Sequence, residues 1–209
     1  NKWDKLYYVG AKAEESGTMQ GSIAVEYWKN HPEADKNGDG IMQYVMLEGE
    51  PGHQDAILRT EYSIKAVEEA GIKTEKLASD TGNWQRAQGQ EKMAAWLSAF
   101  GDKIEVVFAN NDDMALGAIE ALKAAGYFQG DKYMPVIGVD ATAPALDALA
   151  DGKLLGTVLN DAKGQGNAIL EISYAVATGK DPELEGLTDG KYCWVPYQPV
   201  TKENMDQFR

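Results

Sequence analysis

Residues Ile104 to Gly126 read IEVVFANNDDMALGAIEALKAAG. The apolar run Ile104 to Phe108 has the make-up of a buried strand, the polar group Asn110-Asn111-Asp112 ends it, and helical spacing takes over from Asp112 to Ala125. Asp112 and Asp113 stand at the positive end of that helix, and Gly126 lies just past its other end, where a left-handed turn is favoured. Working outward, the same alternation recurs. Further strands are predicted at Leu6 to Val9, Met42 to Leu47, Lys73 to Ala78, Met134 to Val139, Gly156 to Leu159 and Tyr192 to Val195. Helices are predicted between them, among them Asp55 to Ala70, with Ile57, Thr60, Ile64 and Val67 on one face, and Ala162 to Ala177. Alternating strands and helices point to an α/β fold with a mostly parallel sheet flanked by helices.

Composition sets the outer limits. Twenty basic against 33 acidic side chains over 209 residues give 20 − 33 = −13. That charge repels a nucleic-acid backbone or an anionic membrane surface, so neither is expected as a partner. The single cysteine, Cys193, excludes an intrachain disulfide framework. No apolar run approaches the ~20 residues that span a bilayer. The opening Asn1-Lys2-Trp3-Asp4 reads as a processed or truncated piece of something longer. The least core-like stretch is Thr178 to Lys191, punctuated by Gly179, Asp181-Pro182, Gly186 and Asp189-Gly190.

Two constellations carry chemistry. The stretch Asp35-Lys36-Asn37-Gly38-Asp39-Gly40-Ile41-Met42-Gln43 follows the opening of a calcium loop, with oxygen donors at positions one, three and five, glycine at six, a carbonyl at seven and a side chain at nine. Position twelve holds Met46 where a bidentate Glu belongs, so a distant carboxylate has to complete the set. The alternative is a plain surface turn, since Asn-Gly and Asp-Gly are also hairpin signals. The second constellation is positional. His53, Asp55 and Arg59 follow one predicted strand, Trp84 another, Asn110-Asn111-Asp112 a third, Asp140 a fourth and Asn160-Asp161 a fifth. Ligands of open α/β sheets bind outside the carboxyl ends of the strands, so these side chains should converge. Their donors and acceptors suit a neutral polyol, and an aromatic face can lie against the C–H face of a sugar ring. Each also has a plainer reading: Asp112 and Asp161 as helix caps, Trp84 as core, His53 as a structural histidine. No nucleophile elbow, phosphate-binding loop, dinucleotide fingerprint or HExxH signature is present, so an enzyme is not expected.

At Gly49-Glu50-Pro51-Gly52-His53, Ala109-Asn110-Asn111-Asp112, Gly138-Val139-Asp140 and Gly156-Thr157-Val158-Leu159-Asn160-Asp161, the chain resembles the galactose/glucose-binding family of periplasmic proteins that serve ABC transporters. The resemblance runs through most of the chain and includes the calcium-type loop. It implies one lobe, the C-terminal one, of a type I periplasmic binding protein fold: residues 1–160 and 190–209 as the sugar-binding lobe, and 161–189 as a segment belonging with an absent first lobe. It implies that His53, Asp55, Arg59, Asn111, Asp140 and Asn160 hydrogen-bond a hexose, with Trp84 stacking on one ring face. It implies a calcium held by Asp35, Asn37, Asp39, the Ile41 carbonyl, Gln43 and Glu105. A membrane permease as partner and an extracytoplasmic location, periplasmic or as a cell-surface lipoprotein, follow from the same likeness. The stripe Ile169, Ile172 and Val176 would then be uncovered and favour self-association. The effector domain of a sugar-responsive transcription regulator and a sugar-modifying enzyme are the alternative classes.

Overall fold

The computed structural model describes residues 6–184 and 187–209. The opening Asn1-Lys2-Trp3-Asp4 and the loop residue Gly186 lie outside them. The chain forms β1 (Tyr8–Gly10), α1 (Ala13–Asn30), β2 (Ile41–Glu48), α2 (Gln54–Glu69), β3 (Lys73–Thr81), α3 (Arg86–Phe100), β4 (Val106–Ala109) and α4 (Asp112–Ala124). There follow β5 (Val136–Ile137), α5 (Ala143–Ala150), β6 (Gly156–Leu159), α6 (Ala162–Ala177), β7 (Leu187–Thr188), β8 (Tyr192–Trp194) and β9 (Gln198–Thr201). Two compact units result, a large one of residues 13–159 and 198–209 and a small one of residues 1–12 and 160–197.

The large unit holds a six-stranded sheet in the order β3-β2-β4-β5-β6-β9. Its strands run parallel except β9, which pairs antiparallel with β6. β9 is absent from the sequence-based strand assignment because Pro199 lies inside it, and proline is admissible there since the strand forms the edge. β2 is buried along most of its length and β4 throughout, which is why each reads as a continuous apolar run. From β2 the chain steps to β3 on one side and then back across to β4 on the other. With right-handed crossovers, that reversal puts α2 and α3 on opposite faces and opens a switch point between β2 and β4.

Helix packing fixes where α2 sits. A Cβ built on Gly21 of α1 would lie 2.2 Å from the Ser63 carbonyl oxygen of α2, so only a glycine lets the two backbones approach this closely. The buried stripe of α2 is consequently Ala56, Arg59, Ser63 and Val67. This corrects the expected apolar face: Ile57 is 53% exposed, because the register that fits α1 and the sheet turns the arginine inward instead. On the opposite face, α3 and α4 meet just as closely, with a Gly117 Cβ placed 2.0 Å from the Arg86 carbonyl oxygen.

The small unit is a three-stranded sheet, β1-β8-β7, with α6 beside it. Tyr8 N donates to Lys191 O at 2.8 Å and Val195 N to Gly10 O at 2.8 Å. Residues 6–12 and 191–197 therefore fall in the small unit, whereas the sequence reading places them, as parts of 1–160 and 190–209, in one lobe. The stripe on α6 is also less open than expected: Ile172 is 5% exposed, and Val176 packs with Tyr7 and Val9 onto the Cys193 cluster. Ile169 remains 53% exposed, beside Leu170 and Tyr174. Gly21→Ala is expected to destabilise the protein by roughly 1–3 kcal/mol, since backbone must move to admit the methyl. Gly166→Ala in α6, where a Cβ meets nothing within 4 Å, is expected to be neutral or to stabilise by about 0.5–1 kcal/mol. Urea melts of the two variants check both.

Candidate functional site

Arg59 organises the carboxyl end of the large unit's sheet. It is 3% exposed, yet it carries a permanent charge and must be paired. Its Nη1 donates to the Asn110 carbonyl at 2.8 Å, its Nη2 to Asp55 Oδ2 at 3.2 Å, and Nη1 stands 4.0 Å from Asp140 Oδ1. The guanidinium carbon lies 5.9 Å from the centre of the Trp84 ring. Three of the expected residues, Asp55, Trp84 and Asp140, therefore gather around one buried cation, itself the fourth.

Trp84 is half-buried on a left-handed turn, with φ 48° at Asn83 and 65° at Trp84. Its ring end covers Gly49, where a Cβ would meet it at 2.2 Å, and its carbonyl accepts from Asn111 Nδ2 at 3.1 Å. His53 meets the ring edge-on, with centroids 5.2 Å apart. As the N-cap of α2, the exposed His53 accepts the Asp55 amide on Nδ1 at 3.2 Å. Asn111 caps α4 by accepting Met114 N at 3.0 Å, so both ends of its amide already have partners. Asn160 belongs to the small unit, where its Oδ1 accepts from Gln165 Nε2 at 2.7 Å.

Sequence reasoning misplaced one role and missed three others. Asp112 is not the cap of α4. It is a fully buried carboxylate bonded to Thr157 and Thr142, neither of which had been singled out. Burial drives its pKa up to about 7, against the pull of those hydrogen bonds and with a further push from Asp140. Asn110 is likewise fully buried; its Oδ1 accepts Gly49 N at 2.9 Å and its amide reaches Thr60, tying the end of β2 to α2. The Asn-Asn-Asp run was the available signal, but sequence alone does not say which member faces in. Asp161 does cap its helix, accepting Gly164 N at 2.8 Å.

The loop at 35–43 folds as a tight oxygen-lined turn at the opposite end of the strands. Asp35 accepts the amides of Gly38 and Gly40 at 2.8 and 2.9 Å, Asn37 Oδ1 accepts Asp39 N at 2.9 Å, and Asp39 Oδ1 accepts Ile41 N at 2.8 Å. Gln43 donates to Asp39 Oδ2 at 2.9 Å. Glu105, 1% exposed, reaches the loop from just before β4 and accepts Lys36 N at 2.7 Å and Gln43 N at 2.9 Å. Burial raises its pKa, the two amides opposing. The donor set is wholly hard oxygen, the chemistry a calcium ion takes. Among the described residues, however, no three His, Cys, Asp or Glu side chains gather as a metal-binding group, and the carboxylates are turned toward the loop's own amides.

Residues 1–181 match the periplasmic binding protein domain family. The chain belongs to that family. It is 44% identical over 211 residues to the D-galactose/methyl-galactoside binding periplasmic protein MglB of Haemophilus influenzae, covering 99% of this chain and 62% of the relative. To the ribose import binding protein RbsB of Salmonella typhimurium it is 35% identical over 173 residues, covering 83% of this chain and 54% of that one. An ABC transporter solute binding protein from Bacillus halodurans, crystallised with bound myo-inositol, superposes with a TM-score of 0.80 at 34% identity, over 97% of this chain and 62% of that structure. The α/β architecture is that of one lobe of a type I periplasmic binding protein. The chain spans less than two thirds of these relatives' length.

The buried carboxyl gives a pH signature. Its folded pKa of about 7 lies above the ordinary 3.8, so the folded state holds a proton that the unfolded chain releases between those values. Stability from this group is therefore full below the lower value and lost as pH rises through about 7, at up to ~1.4 kcal/mol per pH unit. Urea denaturation from pH 4.5 to 8 should show this slope, and Asp112→Asn should flatten it.

Proposed function

We propose that this chain is the C-terminal part of an extracytoplasmic receptor that binds a hexose, glucose or galactose, without chemical change and delivers it to an ABC-transporter permease. The reading is carried by the convergence of Asp55, Arg59, Trp84, Asn111 and Asp140 around the switch point of the sheet. A cation flanked by two carboxylates can offer donors and acceptors to adjacent hydroxyls at once, and the indole beside it supplies an apolar plane. His53 would complete the polar set. The ligands for which the relatives are named or with which one was crystallised, galactose and methyl-galactoside, ribose and myo-inositol, are all neutral polyols. In the whole protein a second lobe would close over the rim, as hinged binding proteins do, and the segment 161–189 would belong with that lobe. The exposed Ile169, with Leu170 and Tyr174, would meanwhile favour self-association of this chain.

Calcium is part of the same proposal. Asp35, Asn37, Asp39, the Ile41 carbonyl, Gln43 and Glu105 would hold it, with Glu105 as the distant bidentate carboxylate, and the ion would brace the loop against β4. The expected outcome of adding calcium to chelator-treated protein is a higher melting temperature, and Glu105→Ala should remove most of that rise. An unchanged melting temperature in the native chain would strike calcium from the proposal.

Calorimetric titration with glucose, galactose, ribose and myo-inositol tests the binding function. Saturable binding of at least one is expected, with the sugar recovered unaltered, and Trp84→Ala should weaken it by about 1–3 kcal/mol through loss of the ring contact. Product formation would favour an enzyme, and no binding by the protein extended to its relatives' length would end the receptor reading.

A further inference from the structure

The turn that presents Asp140 is strained. Its φ is 123° and that of Ala141 is 54°, both in the region that side chains avoid. Such a turn persists where its surroundings over-determine it, and here the surroundings are one carboxylate. Asp112 Oδ2 accepts Thr142 N at 2.7 Å and Thr142 Oγ1 at 3.1 Å; Oδ1 accepts Thr157 Oγ1 at 2.7 Å. The Thr157 hydroxyl in turn accepts Ala141 N at 3.2 Å. The two amides after Asp140 thus end, directly or through one hydroxyl, on the same buried group. A Cβ on Gly138, the residue just after β5, would sit 2.3 Å from Oδ1, so glycine there leaves room for the carboxylate.

We propose that Asp112 is a positioning residue of the polyol site: it clamps the turn Asp140–Ala141, holds Asp140 toward Arg59, and so sets the affinity of the rim without touching the ligand. This rests on the functional reading above. Protonating Asp112 converts one acceptor oxygen into a donor, so at least one of its three donors loses its partner and the turn loosens. The charged groups bearing on it are Asp140 on the turn and, through Asp140, Arg59 of α2; on the α3 side, Arg86 is paired with the neighbouring Asp113 at 2.8 Å. With its proton held up to about pH 7, affinity is expected to fall as pH drops from 8 to 6.

Amide hydrogen exchange and calorimetry on the full chain test this together, with galactose, glucose and myo-inositol as ligands. Thr157→Val should speed exchange at Ala141 and Thr142 and raise Kd, each by about tenfold, because a buried amide loses its partner. Thr157→Ser keeps the hydroxyl and should restore both. Asp112→Asn, which cannot titrate, should abolish the fall in affinity between pH 8 and 6. Wild-type binding whose Kd and pH profile are unchanged in all three variants overturns the positioning role alone, and so does faster exchange without a change in Kd. Absence of wild-type binding in the protein extended to its relatives' length overturns the functional reading beneath it, while unchanged exchange in Thr157→Val still refutes the clamp.

Discussion

A buried guanidinium has to be paid for, and in this protein that requirement shapes the whole carboxyl edge of the large sheet. Arg59 is almost fully enclosed, and its partners come from three separate places: the Asn110 carbonyl at the end of β4, Asp55 one turn earlier on α2, and Asp140 beyond β5. Removing any one would leave desolvated charge, the costly half of a buried pair. Each partner must therefore arrive accurately, and the rest of the large unit accounts for the accuracy. The Gly21 contact sets the depth of α2, Asn110 ties that helix to β2, and Asp112 fixes the turn after β5. Packing against two glycine-bearing helices thus translates into positions of polar atoms.

The same arrangement would suit an uncharged ligand, as proposed above. The cation is already balanced by carboxylates, so a second full charge entering the rim would be uncompensated on one side. A hydroxyl-rich molecule can instead share donors and acceptors that the protein has pre-oriented, with little reorganisation on binding. The overall charge of −13 points the same way, away from anionic polymers and surfaces. Among the described residues no helix is long and apolar enough to cross a membrane.

Much of this was legible in the sequence, for identifiable reasons. β2 and β4 announced themselves because buried parallel strands are largely apolar along their length. The convergence of His53, Asp55, Arg59, Trp84 and Asp140 followed from one topological rule about strand ends. What stayed hidden were matters of register and of direction along a helix. Whether Ile57 or Arg59 faced inward on α2 depended on how closely α1 could approach. Whether Asn111 or Asp112 capped α4 depended on a single dihedral step, and the loser became a buried carboxyl. The pairing of β1 with β8 was equally invisible, since a strand of three residues takes its partner from tertiary context, and so residues 6–12 join a unit whose remainder begins only at Asn160.

Mapping backbone chemical shifts on addition of galactose tests the central claim most directly. The account predicts perturbations concentrated at Gly49 to Asp55, Asn83, Trp84, Asn110 to Asp112 and Asp140 to Thr142, the residues that enclose or hold Arg59. Perturbations confined to another place, such as the cavity of about 410 Å³ lined by Tyr27, Tyr127 and Tyr133, would contradict it.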